Sequence, residues 1–204
     1  MAGMDNSAPK PNKQPTRPPR KIPRKPNPAS LERAALHYLE RFASSAENLR
    51  RVLLRKVERA ARHHEDIDRE AAAGWIDDLI ARYRRTGLLD DKVYAEARTT
   101  SLHRRGASVR KIRLSLAQKG VAMATVEAAL EDLGERVEGD VELQAAIALA
   151  RRRRLGVYRL AAARADYRDR DLAALARAGF SYDIARRVIE AEDEAALIAL
   201  VDAE

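Results

Sequence analysis

From Ser30 onward, apolar residues recur every three to four positions in one segment after another, the spacing that gathers them onto one face of a helix. Ser30 is a good N-cap for a first helix carrying Leu31, Ala34, Ala35, Tyr38, Leu39 and Phe42. Ser44 or Ser45 caps a second with the stripe Leu49, Val52, Leu53 and Val57. Asp66 or Asp68 opens a third, with Trp75, Ile76, Leu79, Ile80 and Tyr83 on one face and Gly87 ending it. Asp90 or Asp91 caps a fourth through Val93, Tyr94, Ala97 and Leu102, stopping near Gly106. Ser108 starts a fifth through Ile112 and Leu116 to Gly120, and a sixth carries Val126, Ala129, Leu130 and Leu133 to Gly134. A long helix from about Val141 to Tyr158 follows. No stretch alternates well enough to read as a strand, so the expected fold class is all-α.

The helices repeat. A shift of 63 positions lays Ser45 on Ser108, Leu49 on Ile112, Arg50 on Arg113, Leu53 on Leu116 and Lys56 on Lys119. A shift of 50 lays Ile76 on Val126, Leu79 on Ala129 and Ile80 on Leu130. A shift of 59 lays Leu116 on Leu175, Gly120 on Gly179, Val121 on Phe180 and Leu130 on Ile189. These matches predict three tandem three-helix, helix-turn-helix-like repeats over residues 30–88, 89–136 and 137–204, the last degenerate, stacked into an elongated, curved body.

Composition adds a boundary. All eight prolines fall in residues 1–29, with seven of the 39 basic residues and one of the 31 acidic ones. Spaced prolines, and Ile22 as the only large aliphatic besides two methionines, predict a disordered basic tail. Such a tail serves either as an arm that touches phosphate or an acidic surface, or as a solubilising leader. The remaining body is close to neutral, with 32 basic and 30 acidic residues, so only local clustering of charge counts there. With no cysteine, no disulfide or thiolate site is possible. The chain shows neither a signal peptide nor an apolar run long enough for a membrane, so a cytoplasmic protein is expected.

No residue pattern points to catalysis. His63 and His64 are adjacent, and neighbours on a helix diverge by about 100°, so they do not converge on a metal. Asp77-Asp78 and Asp90-Asp91 diverge in the same way and suit helix starts and solvent faces better than an acid/base pair. Ser101 and His103 belong to no recognisable triad order, and no glycine-rich phosphate loop is present. No enzymatic activity, metal or cofactor is expected. Trp75, Tyr83, Tyr94 and Phe180 are expected in the core, whereas Tyr158 and Tyr167, among Arg154, Arg159, Arg164, Arg168 and Arg170, fit either packing or base stacking.

The basic clusters are the candidate binding residues. Arg50, Arg51, Arg55 and Lys56, with Arg59 and Arg62, lie on the outer part of the second helix. Arg104 and Arg105, with Arg110, Lys111, Arg113 and Lys119, surround the fifth. Arg151, Arg152, Arg153 and Arg154 spread around the long seventh helix. Arginine offers paired donors to phosphate or carboxylate, and a solvated face paired to the plentiful acids is the alternative.

One stretch is more specific: G-L-L-D-D-K-V-Y-A (Gly87 to Ala95), R-R-G-A-S-V-R-K-I-R-L-S-L-A-Q-K-G-V (Arg104 to Val121) and V-E-A-A-L (Val126 to Leu130). Its order of Leu89, Asp90, Asp91, Gly106, Ile112, Leu116 and Gly120 resembles the RecX family, bacterial regulators of the recombinase RecA. The segment Ala35 to Arg41 and Ser44-Ser45 are also similar, the third unit only loosely so, and the proline-rich tail lies outside the resemblance. The resemblance implies three three-helix repeats, binding to RecA and to single- or double-stranded DNA, and a position along the groove of the RecA–DNA filament that restrains its ATPase and strand exchange. A role in recombination, DNA repair and the SOS response follows, with a monomer acting without chemistry of its own. A stand-alone helix-turn-helix-like DNA-binding protein is the second reading, and a basic architectural or ribosome-associated protein a third.

Overall fold

The structure, a computed structural model, describes residues 22–202. Among them lie ten α-helices and no strand: α1 (Pro28–Leu39), α2 (Ala46–Ala61), α3 (Arg69–Arg85), α4 (Asp91–Arg104), α5 (Val109–Gln118), α6 (Met123–Arg136), α7 (Val141–Arg153), α8 (Arg164–Ala178), α9 (Tyr182–Ile189) and α10 (Glu194–Asp202). Two 3₁₀ turns, Gly156–Tyr158 and Ala161–Ala163, join α7 to α8.

The stripes read from the sequence build three separate apolar clusters. Leu49, Leu53, Ile76 and Leu79 are buried among α1–α3, and Ile112, Leu116, Val126 and Ala129 among α4–α6. Leu149, Leu175, Phe180 and Val188 are buried among α7–α9, with Leu197 of α10 added to that cluster. The aligned pairs Leu49/Ile112, Leu53/Leu116 and Ile76/Val126 are all fully buried, so the repeat in sequence is a repeat in packing. In the third cluster the position aligned with Leu49 and Ile112 is Asp171, 2% exposed. Its carboxylate accepts from the Gly156 N–H (3.0 Å) and from Arg159 (2.7 and 3.1 Å), satisfying a buried charge. That substitution and the 3₁₀ turns account for the weakness of the third repeat.

Several boundaries differ from expectation. Asn27, not Ser30, caps α1: Pro28 occupies the first turn, where its missing N–H costs nothing, and Ser30 completes a capping box with Asn27. The ordered body therefore begins inside the proline-rich segment. Residues 22–27 carry neither helix nor strand and are tied to the α2–α3 loop, with Lys25 paired to Asp66 and His64 Nε2 2.8 Å from the Pro23 carbonyl. The expectation for residues 1–21 lies outside the described residues. Helix α6 runs through Gly134 to Arg136, and α7 stops at Arg153 because Arg154 takes a left-handed conformation at φ 56°. Trp75 is 37% exposed rather than in the core, since Ala72, Ile76, Leu79 and Tyr83 already fill the buried face of α3. Helix α4 follows its expected face only in part: Tyr94 and Leu102 pack against the second cluster, but the fully buried positions are Ala95, Thr99 and His103, and Val93 is 59% exposed.

The clusters are joined by one arrangement used twice. Ser45, the N-cap of α2, accepts from the Asn48 N–H and donates its hydroxyl to the Lys119 carbonyl at the end of α5. Ser108, the N-cap of α5, accepts from the Lys111 N–H and donates to the Ala178 carbonyl at the end of α8 (2.8 Å). Beside each serine the first N–H of its helix donates to a carboxylate of the next unit: Ala46 to Asp91 and Val109 to Glu142, both at 2.8 Å. Each joint needs a helix end without a Cβ. At Gly120, with φ 73°, a Cβ would stand 2.3 Å from the Glu47 side chain, and Gly179 takes the same place against Ser108.

Ser45→Ala or Ser108→Ala removes a cap and an interunit bond together, which should lower stability by about 2–3 kcal/mol in urea unfolding. Ser181→Ala removes only the exposed cap of α9 and should cost about 1 kcal/mol. Equal losses at all three positions would mean that the joint bonds contribute nothing.

Candidate nucleic-acid and protein interface

The candidate cations divide into two groups according to what their side chains already touch. Arg50 grips Asp77 through two nitrogens (2.6 and 3.2 Å), and Arg113 grips Glu127 in the same way (2.7 and 2.8 Å). The two bridges occupy equivalent places in the first and second units and clip the second helix of each to the third. Arg51 pairs with Glu47 (2.7 Å) and donates to the Gln118 carbonyl (2.9 Å), and Lys119 Nζ donates to Asn48 (3.2 Å), so both tie the first joint. Arg152 donates to the Arg105 carbonyl (2.6 Å) across the second joint. Arg151 pairs with Glu194 and lies over the Tyr158 ring at 5.5 Å.

The remaining candidates, Arg55, Lys56, Arg104, Arg105, Arg110, Lys111, Arg153 and Arg154, are exposed and have no side-chain partner among the described residues. Most of them collect near the second joint. Arg110 packs its stem beside Gly179, Arg104 and Arg105 end α4, and the Arg152–Arg105 bond brings the end of α7 to the same place. The joints differ here in charge. The residue over Gly120 is Glu47, neutralised by Arg51, whereas the aligned residue over Gly179 is Arg110, with no carboxylate partner. Arg55 and Lys56, with Arg59 and Arg62, form a separate exposed strip on the last two turns of α2.

The motif residues prove to be joint and turn residues. Leu89 is buried, Asp90 caps α4 through the Lys92 and Val93 N–H groups, and Asp91 accepts from Ala46 while pairing with Arg84 (3.2 Å). A Cβ on Gly106 would meet the Leu149 backbone at 2.5 Å, so the α4–α5 turn and α7 touch through bare backbone.

Electrostatics follow the same division. The Arg50 guanidinium holds the Asp77 carboxyl below the usual range, and Arg113 does the same to Glu127. Burial instead raises the Glu142 carboxyl, offset in part by the Val109 N–H. Tyr167 is covered on its ring by Arg159 (4.2 Å) and Arg170 (5.7 Å), so its own arginines occupy the stacking surface expected for a base. Tyr83 and Phe180 are buried, and Tyr94 is half-buried. Asp77 and Asp78 do not act as a pair, since Asp77 belongs to Arg50. Among the described residues no group of three or more histidine, aspartate and glutamate side chains could hold a metal ion, and no helix is long and apolar enough to cross a membrane.

Two open grooves run along the outer face of α4, one of about 540 Å³ walled by Phe42, Leu88 and Val93, the other of about 750 Å³ walled by Arg104, Arg105 and Arg136. Val93, Ala97 and Ser101 line both. The sequence pattern misplaced this face: Val93 and Ala97 fit a helical stripe and read as core. The competing stripe of Ala95, Thr99 and His103 is small and polar, with His103 Nε2 2.9 Å from the Val141 carbonyl.

Because Asp77 ionises more readily when folded than unfolded, the Arg50–Asp77 bridge contributes stability above the ordinary carboxylate range, and that contribution is lost as the pH falls through the folded value. Arg50→Ala should cost up to about 1 kcal/mol at neutral pH, a ceiling set by the exposure of the bridge. Thermal melts should show this difference from the parent closing in acid; a constant difference would assign the cost to packing.

Comparisons with known proteins agree with this geometry. Residues 90–130 match the family model described as RecX, second three-helix domain. The chain is 43% identical over 188 residues to the regulatory protein RecX of Myxococcus xanthus, covering 92% of this chain and 98% of that one. It is 31% identical over 170 residues to the regulatory protein RecX of Agrobacterium fabrum, covering 83% and 87%. The crystal structure of RecX from Lactobacillus salivarius superposes with a TM-score of 0.53 at 22% identity, over 80% of this chain and 94% of that one, and shares its fold.

Proposed function

Starting from the fact that the chain belongs to the RecX family of regulatory proteins, we propose that it restrains RecA by lying along the RecA–DNA filament, without chemistry of its own. The observation that carries this reading is the cluster of unpartnered cations at the second joint. Arg110, Lys111, Arg153 and Arg154 reach solvent with no carboxylate to answer them, whereas Arg50, Arg51, Arg113 and Arg152 are committed to ion pairs or backbone carbonyls. Free guanidinium and ammonium groups on a near-neutral body suit phosphate contact at a few points, leaving the rest of the surface for a protein partner. The strip Arg55, Lys56, Arg59 and Arg62 offers a second set of phosphate contacts one unit away, the spacing of an elongated ligand.

A protein that acts by occupying another enzyme's filament needs no nucleophile or acid/base pair. In this reading one chain spans neighbouring RecA subunits, slows ATP hydrolysis and strand exchange, and so acts in the cytoplasm in recombination, repair and the SOS response.

Added to purified RecA on single-stranded DNA, the protein should slow ATP hydrolysis at substoichiometric amounts; no effect at equimolar protein would overturn the proposal. The double change Arg110→Ala and Lys111→Ala should lower the slope of log affinity against log salt on an oligonucleotide by about 1.4, two single-strand phosphate contacts. Arg113→Ala, which breaks a bridge instead, should leave that slope unchanged. Strong sequence preference on duplex DNA without RecA would favour the stand-alone DNA-binding reading.

A further inference from the structure

Helix α4 buries Thr99 and His103 beside Ala95 while leaving Val93 and Ala97 exposed. Thr99 is fully buried and its hydroxyl has no hydrogen-bond partner, while Val93, two turns earlier, is 59% exposed. Val93 does not stand alone. Phe42, after the end of α1, and Leu88, in the α3–α4 turn, are 52% and 49% exposed and line the same groove. An apolar side chain on a solvent face loses the transfer energy that burial would give, and three around one groove make a patch rather than scattered exposure.

The two grooves along α4 meet at Val93, Ala97 and Ser101 and are taken together as one trough, whose charges decide what fits it. Asp90 is committed to capping α4, Glu96 is 3.9 Å from Lys92, and Arg136 is paired with Asp132. What stays unanswered is positive: Arg104 and Arg105 at the far end, both exposed and without a side-chain partner. Exposed guanidinium groups with no carboxylate of their own offer paired donors to an incoming carboxylate. We propose that this groove is the protein-docking site of the molecule and takes a segment of the RecA subunit with one or two apolar anchors followed by carboxylates. A nucleic acid fits it less well, because the Phe42, Leu88 and Val93 shelf offers phosphate nothing. The occupant rests on the filament-binding reading above; the groove adds where the protein contact lies, its basic end at Arg104 and Arg105 bordering the Arg110, Lys111, Arg153 and Arg154 cluster.

The test uses the full chain, with Val93→Glu in the shelf and Arg104→Glu with Arg105→Glu at the basic end. All three positions are exposed, so unchanged helical content and melting temperature are expected and are checked by circular dichroism. Binding to purified RecA without DNA should weaken by about thirtyfold for each variant, the cost of one lost anchor, with the affinity for a single-stranded oligonucleotide held within about twofold for Val93→Glu. Wild-type RecA binding by Val93→Glu, or loss of oligonucleotide binding by Arg104→Glu/Arg105→Glu with RecA binding kept, overturns the groove alone. Failure of the unaltered chain to bind or inhibit RecA overturns the filament reading and the identity of the occupant with it.

Discussion

A buried serine at the start of a helix holds the molecule together. Ser45 and Ser108 are each fully buried, each closes the first turn of its own helix, and each gives its single proton to a carbonyl at the end of a helix in the next unit. Helix ends leave both N–H and C=O groups without partners, and a stack of short helices multiplies such ends. Here one unit's free donors meet the next unit's free acceptors, so the groups that would penalise burial become the connection. The glycine after the accepting helix lets the two backbones close, and the Asp91 or Glu142 carboxylate takes the neighbouring N–H. The arrangement has a direction. The third unit starts its second helix at Ala163, with no side-chain cap, and the second helix of the first unit is followed by Arg62 and His63 instead of a glycine.

Much of this was legible in the sequence because periodicity reports burial and the joints recur. The alignment of Ser45 with Ser108 and of Gly120 with Gly179 was visible as a repeat, though not that serine and glycine meet each other. The bonds that close the joints, from each serine to the carbonyl just before the glycine, join residues 74 and 70 positions apart, which no local pattern encodes. Helix α4 was misread for a related reason. Ala95, Thr99 and His103 are buried where α4 meets α6 and α7, with His103 against the Val141 carbonyl, so a rule that sends large apolar residues inward finds Tyr94 and Leu102 but wrongly adds Val93 and Ala97. The site residues were legible as a set but not in their division of labour. Arg110 and Arg113 lie one turn apart; only the facing Glu127 separates a structural clip from a free cation.

Two surfaces then acquire fixed positions. The unpartnered cations gather at the second joint because Ser108, Gly179 and the Arg152–Arg105 bond bring α4, α5, α7 and α8 together. The apolar shelf lies at the other end of α4, where the α3–α4 turn delivers Leu88 and the end of α1 delivers Phe42. The apolar shelf and the free cations thus lie toward opposite ends of α4, and the joints hold both in one body. Under the function proposed above, such a regulator works through rigid spacing.

That dependence on spacing is tested most directly by Gly120→Val, which keeps the groove and all the free cations while forcing a side chain into Glu47 at the first joint. The measurement is inhibition of DNA-dependent ATP hydrolysis by RecA, at a temperature where the variant keeps its helical content. Loss of inhibition is predicted, since the first unit and its cation strip would no longer be held in register with the rest. Inhibition equal to that of the unaltered chain would contradict the role given to the joints.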